Sequence, residues 1–273
     1  MELTLLRHAT LVLTLGELRF LVDPMLAEAG SMDAIADTPN PRPNPLVALP
    51  VEPEPLRRLL AQLDGVLVTH RHRDHWDGRA AEWLSKDLPL FCQPQDEEAL
   101  RQQGFSLVYP VEVSLIWHGV QVTRTGGQHG RGATAKRLGP VSGYTLRAVG
   151  EPSVYIAGDT VWCPEVNRVL RHRRPEVVVL NAGAAQFTQG GPITMDLEDV
   201  LQVQRAAPWA HLVVVHMEAM NHCLLTRQAL RQGLRSAGGS SRTVIPADGE
   251  TLVLRSGHLE AAHAGGRLAR PGE

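Results

Sequence analysis

Cysteine is scarce in this 273-residue chain, and the three that occur are scattered at Cys92, Cys163 and Cys223. An odd number of widely spaced cysteines does not form the disulfide framework that stabilises small secreted domains. A chain of this length can instead bury a sizeable apolar core. The cysteine content therefore predicts a cytoplasmic protein that is stabilised by its core.

Aromatic residues are also few, at 4%, and 27 basic and 29 acidic side chains leave a formal net charge of −2. Nucleic-acid binding depends on concentrated positive charge and on aromatic platforms for bases, so no nucleic-acid partner is expected. No apolar run reaches the roughly 20 residues of a membrane span, and the opening "MELTLLRHATLVLTL" alternates like a strand rather than a signal peptide. We expect a small-molecule partner, and a homo-oligomer is compatible with the sequence.

The order of apolar patterns predicts an α/β fold. The first 22 residues alternate like a β-meander, and runs such as "GVLVT", "EVVVLN" and "HLVVVH" then alternate with segments of helical spacing. Such an order is typical of sheets covered by helices. We expect a four-layer αββα sandwich, with two mixed β-sheets face to face and helices on both outer faces. It would form a single domain over residues 1–255, followed by a small, polar and poorly ordered tail over residues 256–273.

One short loop holds many metal-binding side chains. The segment "VTHRHRDHWDG", residues 68–78, contains His70, His72, Asp74 and His75 directly behind an apolar run. Side chains at this spacing cannot all share one side of a regular strand or helix, but an irregular loop lets them converge. Imidazole and carboxylate groups suit zinc, iron and manganese. The alternative interpretation is a polar loop that is rich in histidine by accident.

Three further candidate ligands follow apolar strands: His129 after "VQVTRTGGQ", Asp159 after "SVYIAG" and His216 after "HLVVV". Strand ends on one rim of a sheet are where open α/β folds place their chemistry. Taken alone, His129 is an ordinary turn residue and Asp159 a helix cap; the ordered set favours ligands. Five histidines and two aspartates exceed the three protein ligands of one catalytic metal, so the set predicts two adjacent metals.

The motif H-x-H-x-D-H, a lone histidine after a strand, "GDT" and a strand-terminal histidine together resemble the pattern of metallo-β-lactamase-fold metallohydrolases. Within them, "RHATLVLTLGELRFLVDP" looks like the opening of the branch with ascorbate-6-phosphate lactonase and the phospholipase-D-type hydrolases of acylethanolamine phospholipids. That branch begins with "GHA…DP", whereas Arg7 stands in place of the glycine here. The resemblance runs from about Leu3 to about Leu254.

The resemblance implies three ligands for one metal, three for the other and a bridging aspartate: His70, His72 and His129; Asp74, His75 and His216; and Asp159. For the last histidine, "VVVHMEAMNHC" also offers His222. We favour His216, because it directly ends its strand, where the family places this ligand. The implied cofactors are two divalent ions, zinc first, with manganese or iron as alternatives.

The same resemblance implies a dinuclear hydrolase in which a metal-bridging hydroxide attacks the substrate. Asp74 and Asp159 are the expected catalytic carboxylates, the first as a metal ligand that passes a proton to the leaving group and the second as the bridge. The branch favours a small-molecule ester, either a lactone or a phosphodiester. The alternatives from other classes are a di-iron oxidoreductase on the same ligands and a non-catalytic metal-binding protein.

Three more polar residues lie beside these motifs. His8 ends a strand and is either a group that supports the ligands or a structural histidine. Asp23 in "VDP" is expected to anchor a turn rather than to bind metal. Asn181 follows another strand end and is expected to line the substrate cleft.

Overall fold

The computed structural model describes residues 1–239, 241–255 and 258–262. The chain forms two compact units, and each is discontinuous in sequence. The first contains Met1–Ala27, Leu49–Glu112 and the segment from Pro246, and the second contains Glu28–Ala48 and Val113–Ile245. The single domain predicted over residues 1–255 stays a prediction.

The strands, in chain order, are β1 Glu2–Arg7, β2 Thr10–Leu15, β3 Leu18–Val22, β4 Gly65–Leu67, β5 Leu90–Cys92, β6 Val108–Pro110, β7 Ser114–Trp117, β8 Val120–Gly126, β9 Ser142–Arg147, β10 Val154–Ile156, β11 Val177–Asn181, β12 His211–Val215, β13 Thr243–Val244, β14 Thr251–Arg255 and β15 His258–Ala261. The helices are α1 Pro53–Leu60, α2 Gly78–Trp83, α3 Glu97–Gln102, α4 Ala133–Leu138, α5 Pro164–Arg173, α6 Leu197–Ala206 and α7 Arg227–Ser236, with a 3₁₀ turn at Pro94–Asp96. The apolar runs "GVLVT", "EVVVLN" and "HLVVVH" contain β4, β11 and β12.

The first unit contains a mixed eight-stranded sheet in the order β15-β14-β1-β2-β3-β4-β5-β6. Neighbours from β15 to β3 are antiparallel, and neighbours from β3 to β6 are parallel. The carboxyl ends of β3 and β4 therefore lie side by side, which places Asp23 beside the start of the histidine loop. Within the predicted tail, His258–Ala261 instead forms a strand; residues 256–257 and 263–273 lie outside the described residues.

The second unit contains a mixed seven-stranded sheet in the order β13-β12-β11-β10-β9-β8-β7. Here β10 to β13 are parallel, whereas β7 to β10 are antiparallel neighbours. Strands β8, β10, β11 and β12 therefore run in the same direction and end at the same edge. His129, Asp159, Asn181 and His216 all lie at or just beyond these strand ends.

In each sheet, the side chains at alternate strand positions pack against helices. In the first unit Leu56 and Leu59 of α1 join a buried cluster with Val66, and each such leucine contributes about 1.5–3 kcal/mol. In the second unit Val178 and Leu180 of β11 join the buried residues of α5, α6 and α7. The intervening positions of β11 are buried as well, which explains its continuous apolar run. Among the described residues, no helix has the length and apolarity needed to span a membrane.

Asn221 holds the proline-rich segment of residues 28–48 in the second unit. Its Oδ1 accepts hydrogen bonds from Ile35 N at 3.0 Å and Asn44 Nδ2 at 2.7 Å, and its own N–H donates to Asn44 Oδ1 at 2.8 Å. Its Nδ2 lies within hydrogen-bond distance of Ile35 O, Thr38 Oγ1 and Asn40 O. Since Asn221 is buried, these bonds tie the loop to the chain that follows β12.

Candidate metal centre

The histidine loop, Thr69–Asp77, turns tightly after β4. The backbone N–H groups of His75 and Trp76 both donate to His72 O at 2.9 Å. This turn places His70 Nε2 3.0 Å from His72 Nδ1, and it brings the ring centroids of His70 and His75 to 4.3 Å. The irregular loop thus brings these three imidazoles together, as the sequence predicted.

Asp74 lies between two histidines of the first unit. Its Oδ2 is 3.2 Å from His8 Nε2 and 3.7 Å from His75 Nε2. One donor atom of each of these three residues lies within 4.8 Å of the other two. Ligand atoms at about 2.1 Å from a tetrahedral zinc are roughly 3.4 Å apart. The 3.7 Å between Asp74 Oδ2 and His75 Nε2 is close to this separation and is compatible with two ligands of one metal, whereas the 3.2 Å between Asp74 Oδ2 and His8 Nε2 is a hydrogen-bond distance.

Asp23 directly follows β3 and supports the histidine loop. Its Oδ1 accepts from Thr69 N at 2.7 Å, and its Oδ2 accepts from Thr69 Oγ1 at 2.7 Å and from His75 Nδ1 at 2.8 Å. A carboxylate at one imidazole nitrogen fixes the tautomer and leaves the other nitrogen as a metal ligand. Asp23 is therefore a turn residue, as predicted, and it also orients His75.

The other end of the histidine loop is anchored by Asp77. This carboxylate accepts from Ala80 N at 2.7 Å, which caps α2, and from Ala27 N at 2.6 Å. The buried Arg7 donates to Met25 O and Ala27 O at 2.8 and 2.9 Å, in the same segment. Burial raises the pKa of Asp77 and lowers that of Arg7 to about 10, and their mutual attraction opposes both shifts. The loop is thus fixed at its start and at its end.

In the second unit Asp159 contacts a histidine through each carboxylate oxygen. Its Oδ2 is 3.7 Å from His129 Nε2, and its Oδ1 is 3.3 Å from His216 Nε2. Asn181 Nδ2 donates to the same Oδ1 at 2.8 Å, and all four side chains are buried. The two-sided contact is compatible with a bridging ligand, and that role stays a prediction. Asn181, expected to line a cleft, positions this carboxylate.

Two backbone features orient the histidines of this unit. His129 Nδ1 donates to Ile193 O at 2.9 Å, so its Nε2 is the nitrogen that faces Asp159. His216 has a φ of +70°, in the left-handed region that side chains rarely adopt, and its Nδ1 lies 3.6 Å from Cys223 Sγ. Such strained positions persist only where the surrounding contacts stabilise them, and they cluster at functional sites.

The alternative last ligand, His222, is also buried, but its ring centroid is 6.5 Å from that of His216. Within the described residues, His222 belongs to none of the groups whose donor atoms lie close enough together to hold one metal. His216 instead contacts Asp159 directly. The geometry favours His216, and its assignment as a ligand remains a prediction.

The donor chemistry of both sets fits a divalent metal. Each set offers imidazole nitrogens and a carboxylate with separations of 3.0 to 3.7 Å. The remote nitrogens of His75 and His129 are engaged by a carboxylate and a carbonyl, so the near nitrogens carry lone pairs. Buried polar groups that converge in this way are costly unless they are paired or bind a metal.

Replacing Asp23 with asparagine is expected to weaken metal binding by about 10–100-fold, the usual effect of removing an outer carboxylate. The amide keeps an oxygen for Thr69 N, but its NH₂ group cannot accept from His75 Nδ1. Competition with a chromophoric chelator measures the affinity. Asp64→Asn is the matched control, since Asp64 also accepts from a backbone amide at 2.8 Å, that of Arg19, in the same unit. Equal affinities in the two variants would contradict the orienting role of Asp23.

The chain is similar to known proteins in sequence and in structure. The beta-lactamase superfamily domain matches residues 19–217. The UPF0173 protein YddR of Bacillus subtilis is 37% identical over 257 residues, which cover 93% of this chain and all of that relative.

Two solved structures are similar over nearly the whole chain. A possible metal-dependent hydrolase from Veillonella parvula has a TM-score of 0.89 and 34% identity, covering 93% of this chain and 99% of the other. An isothiocyanate hydrolase from Delia radicum gut bacteria has a TM-score of 0.86 and 39% identity, covering 96% of this chain and 100% of the other. Together with the two mixed sheets, these matches confirm the predicted α/β fold class.

Proposed function

The chain belongs to the β-lactamase superfamily and, within it, to the UPF0173 family of metal-dependent hydrolases; on this basis we propose that it hydrolyses a small molecule with water activated by two divalent metals. The observation that carries the proposal is the pair of buried histidine–carboxylate sets around Asp74 and Asp159. The di-iron oxidoreductase and the non-catalytic metal-binding protein remain the alternatives that an experiment must separate.

We propose that the seven predicted ligands act together and hold two metals, zinc first and manganese or iron as alternatives. When bound, two such ions lower the pKa of a water molecule and stabilise the negative charge that develops on the substrate. The contacts to both oxygens of Asp159 support its role as the shared ligand. The supporting contacts of Asp23, Asn181 and the Ile193 carbonyl would keep the ligands in place through the reaction.

Asp74 would have a second task. Its carboxylate is buried beside two imidazoles, so it would accept a proton from the attacking water and deliver it to the leaving group. Replacing the carboxylate with an amide would therefore impair proton transfer as well as metal binding. The resemblance to lactonases supports this assignment.

Two observations favour different substrates. The sequence resemblance favours a lactone or a phosphodiester. The 39% identical isothiocyanate hydrolase favours an isothiocyanate as a second candidate. In that reaction R–N=C=S and water give R–NH₂ and O=C=S: the water oxygen bonds to the central carbon, the C–N bond breaks, and the nitrogen gains two protons. Hydrolysis of any of the three substrates needs an activated water and a proton for the leaving group.

The test is metal analysis of the purified chain combined with a substrate panel. The panel contains aliphatic lactones, bis(4-nitrophenyl) phosphate and alkyl and benzyl isothiocyanates, each assayed before and after chelation and after zinc or manganese is restored. We expect two metals per chain and hydrolysis of one substrate class that is lost and regained with the metal. Iron with oxygen consumption and no hydrolysis would instead support the oxidoreductase, and metal without turnover would support a non-catalytic protein.

A further inference from the structure

His8 lies in the turn between β1 and β2, where a fully buried side chain is unusual. Its φ is +61°, in the left-handed region, and its side chain is fully buried. Glycine and asparagine adopt this conformation at lower cost, and a turn of two strands normally exposes its side chains. The local turn geometry therefore does not explain why an imidazole stands here.

The tertiary contacts of His8 provide an explanation. Its Nε2 lies 3.2 Å from Asp74 Oδ2, although 66 residues separate the two in sequence. Its ring also meets the ring of His75 edge to face, with the centroids 5.8 Å apart. His8 thus contacts both of the first-unit residues that are predicted to hold the second metal.

The turn that contains His8 is stabilised by Thr10, the first residue of the following strand, β2. Thr10 Oγ1 donates to Asp23 O at 2.8 Å and accepts from Met25 N at 2.9 Å. Asp23 in turn contacts His75. The His8 turn and the His75 imidazole are therefore tied to the same short segment after β3, which fixes the distance between them.

We propose that His8 is a positioning residue for Asp74, an inference that rests on the proposed function. The Nε2–H group donates to Asp74 Oδ2 and holds the carboxylate in the orientation that the metal shared with His75 requires. Without this bond the carboxylate would be held less firmly in that orientation, and its metal would bind more weakly. The strained backbone of the turn is maintained because it delivers the imidazole to this carboxylate.

Two variants of His8 test whether an N–H group must reach the Asp74 carboxylate. His8→Asn tolerates the left-handed backbone but is too short to reach Asp74, whereas His8→Gln carries an N–H group at about the distance of Nε2. His118→Ala is the matched control, because His118 occupies the turn between β7 and β8 with a φ of +44° and is exposed. The measurements are the two zinc affinities by competition with a chelator, the visible spectrum of the cobalt-substituted protein and the unfolding temperature of the metal-free chain.

We expect His8→Asn to bind one of the two zinc ions about 10–100-fold more weakly and to alter the cobalt spectrum, while His8→Gln and His118→Ala stay close to the parent. Unchanged affinities in His8→Asn, or equal losses in the Asn and Gln variants, would overturn the proposal. If His8→Asn does not fold, a folded Gln variant with weakened binding also overturns it. A parent chain that holds fewer than two metals would contradict the proposed function itself, which is a separate outcome.

Discussion

Replacing His72 with alanine is expected to lower the metal affinity and kcat together. Each should fall by more than the roughly 10–100-fold that is usual when a residue that only supports a metal ligand is replaced. His72 is a predicted metal ligand, and a missing ligand lowers the affinity on which the activated water depends. It is also partly exposed, so its truncation leaves no closed cavity in the core. Metal content by elemental analysis and kcat on the substrate identified by the panel measure the two losses.

The control for His72→Ala is His172→Ala, because His172 is an exposed histidine on α5. It is expected to leave metal content and turnover unchanged. Full metal content in His72→Ala with reduced turnover would mean that His72 acts on the substrate rather than on a metal. Full content with full turnover would remove His72 from the site.

The second large effect distinguishes the two histidines after β12. His216→Asn is expected to lose one metal and nearly all turnover, since His216 contacts Asp159; asparagine also tolerates the positive φ at this position. His222→Ala is expected to retain the metal. Because His222 is buried, its truncation should lower the unfolding temperature while metal per folded chain stays normal.

Metal content per folded chain and thermal unfolding are both needed for this pair of variants. The opposite result, a metal lost from His222→Ala and retained in His216→Asn, would exchange the two assignments. Loss of a metal from both variants would indicate that the segment between them must stay intact for binding.

The residues that the sequence identified share a local signal. His70, His72 and His75 stand out because they crowd one loop behind an apolar strand, and His216 stands out because it directly ends one. Strand patterns also predicted the α/β fold class, since continuous and alternating apolar runs follow from burial on two faces and on one. Local spacing therefore carries both the elements and the candidate ligands.

The supporting residues carry no such signal. Asp23 contacts Thr69 across 46 residues, because β3 and β4 pair in parallel and end together. His8 reaches Asp74 across 66 residues, and Asn181 reaches Asp159 across 22. In the sequence, a polar residue at a strand end that anchors a turn cannot be distinguished from one that orients a metal ligand. Only the strand order decides which of these contacts form, and a single sequence does not specify that order.

The bonds made by Asn221 have a consequence for engineering. Leu46 N also donates to Ala219 O at 2.7 Å, so the loop of residues 28–48 and the chain from His216 onward form one hydrogen-bonded assembly. A loop of residues 28–48 transplanted from a relative would lose these bonds unless it carried an asparagine at position 44 to pair with Asn221 of the recipient. Any exchange of this loop should therefore keep Asn44 and Asn221 together as a pair.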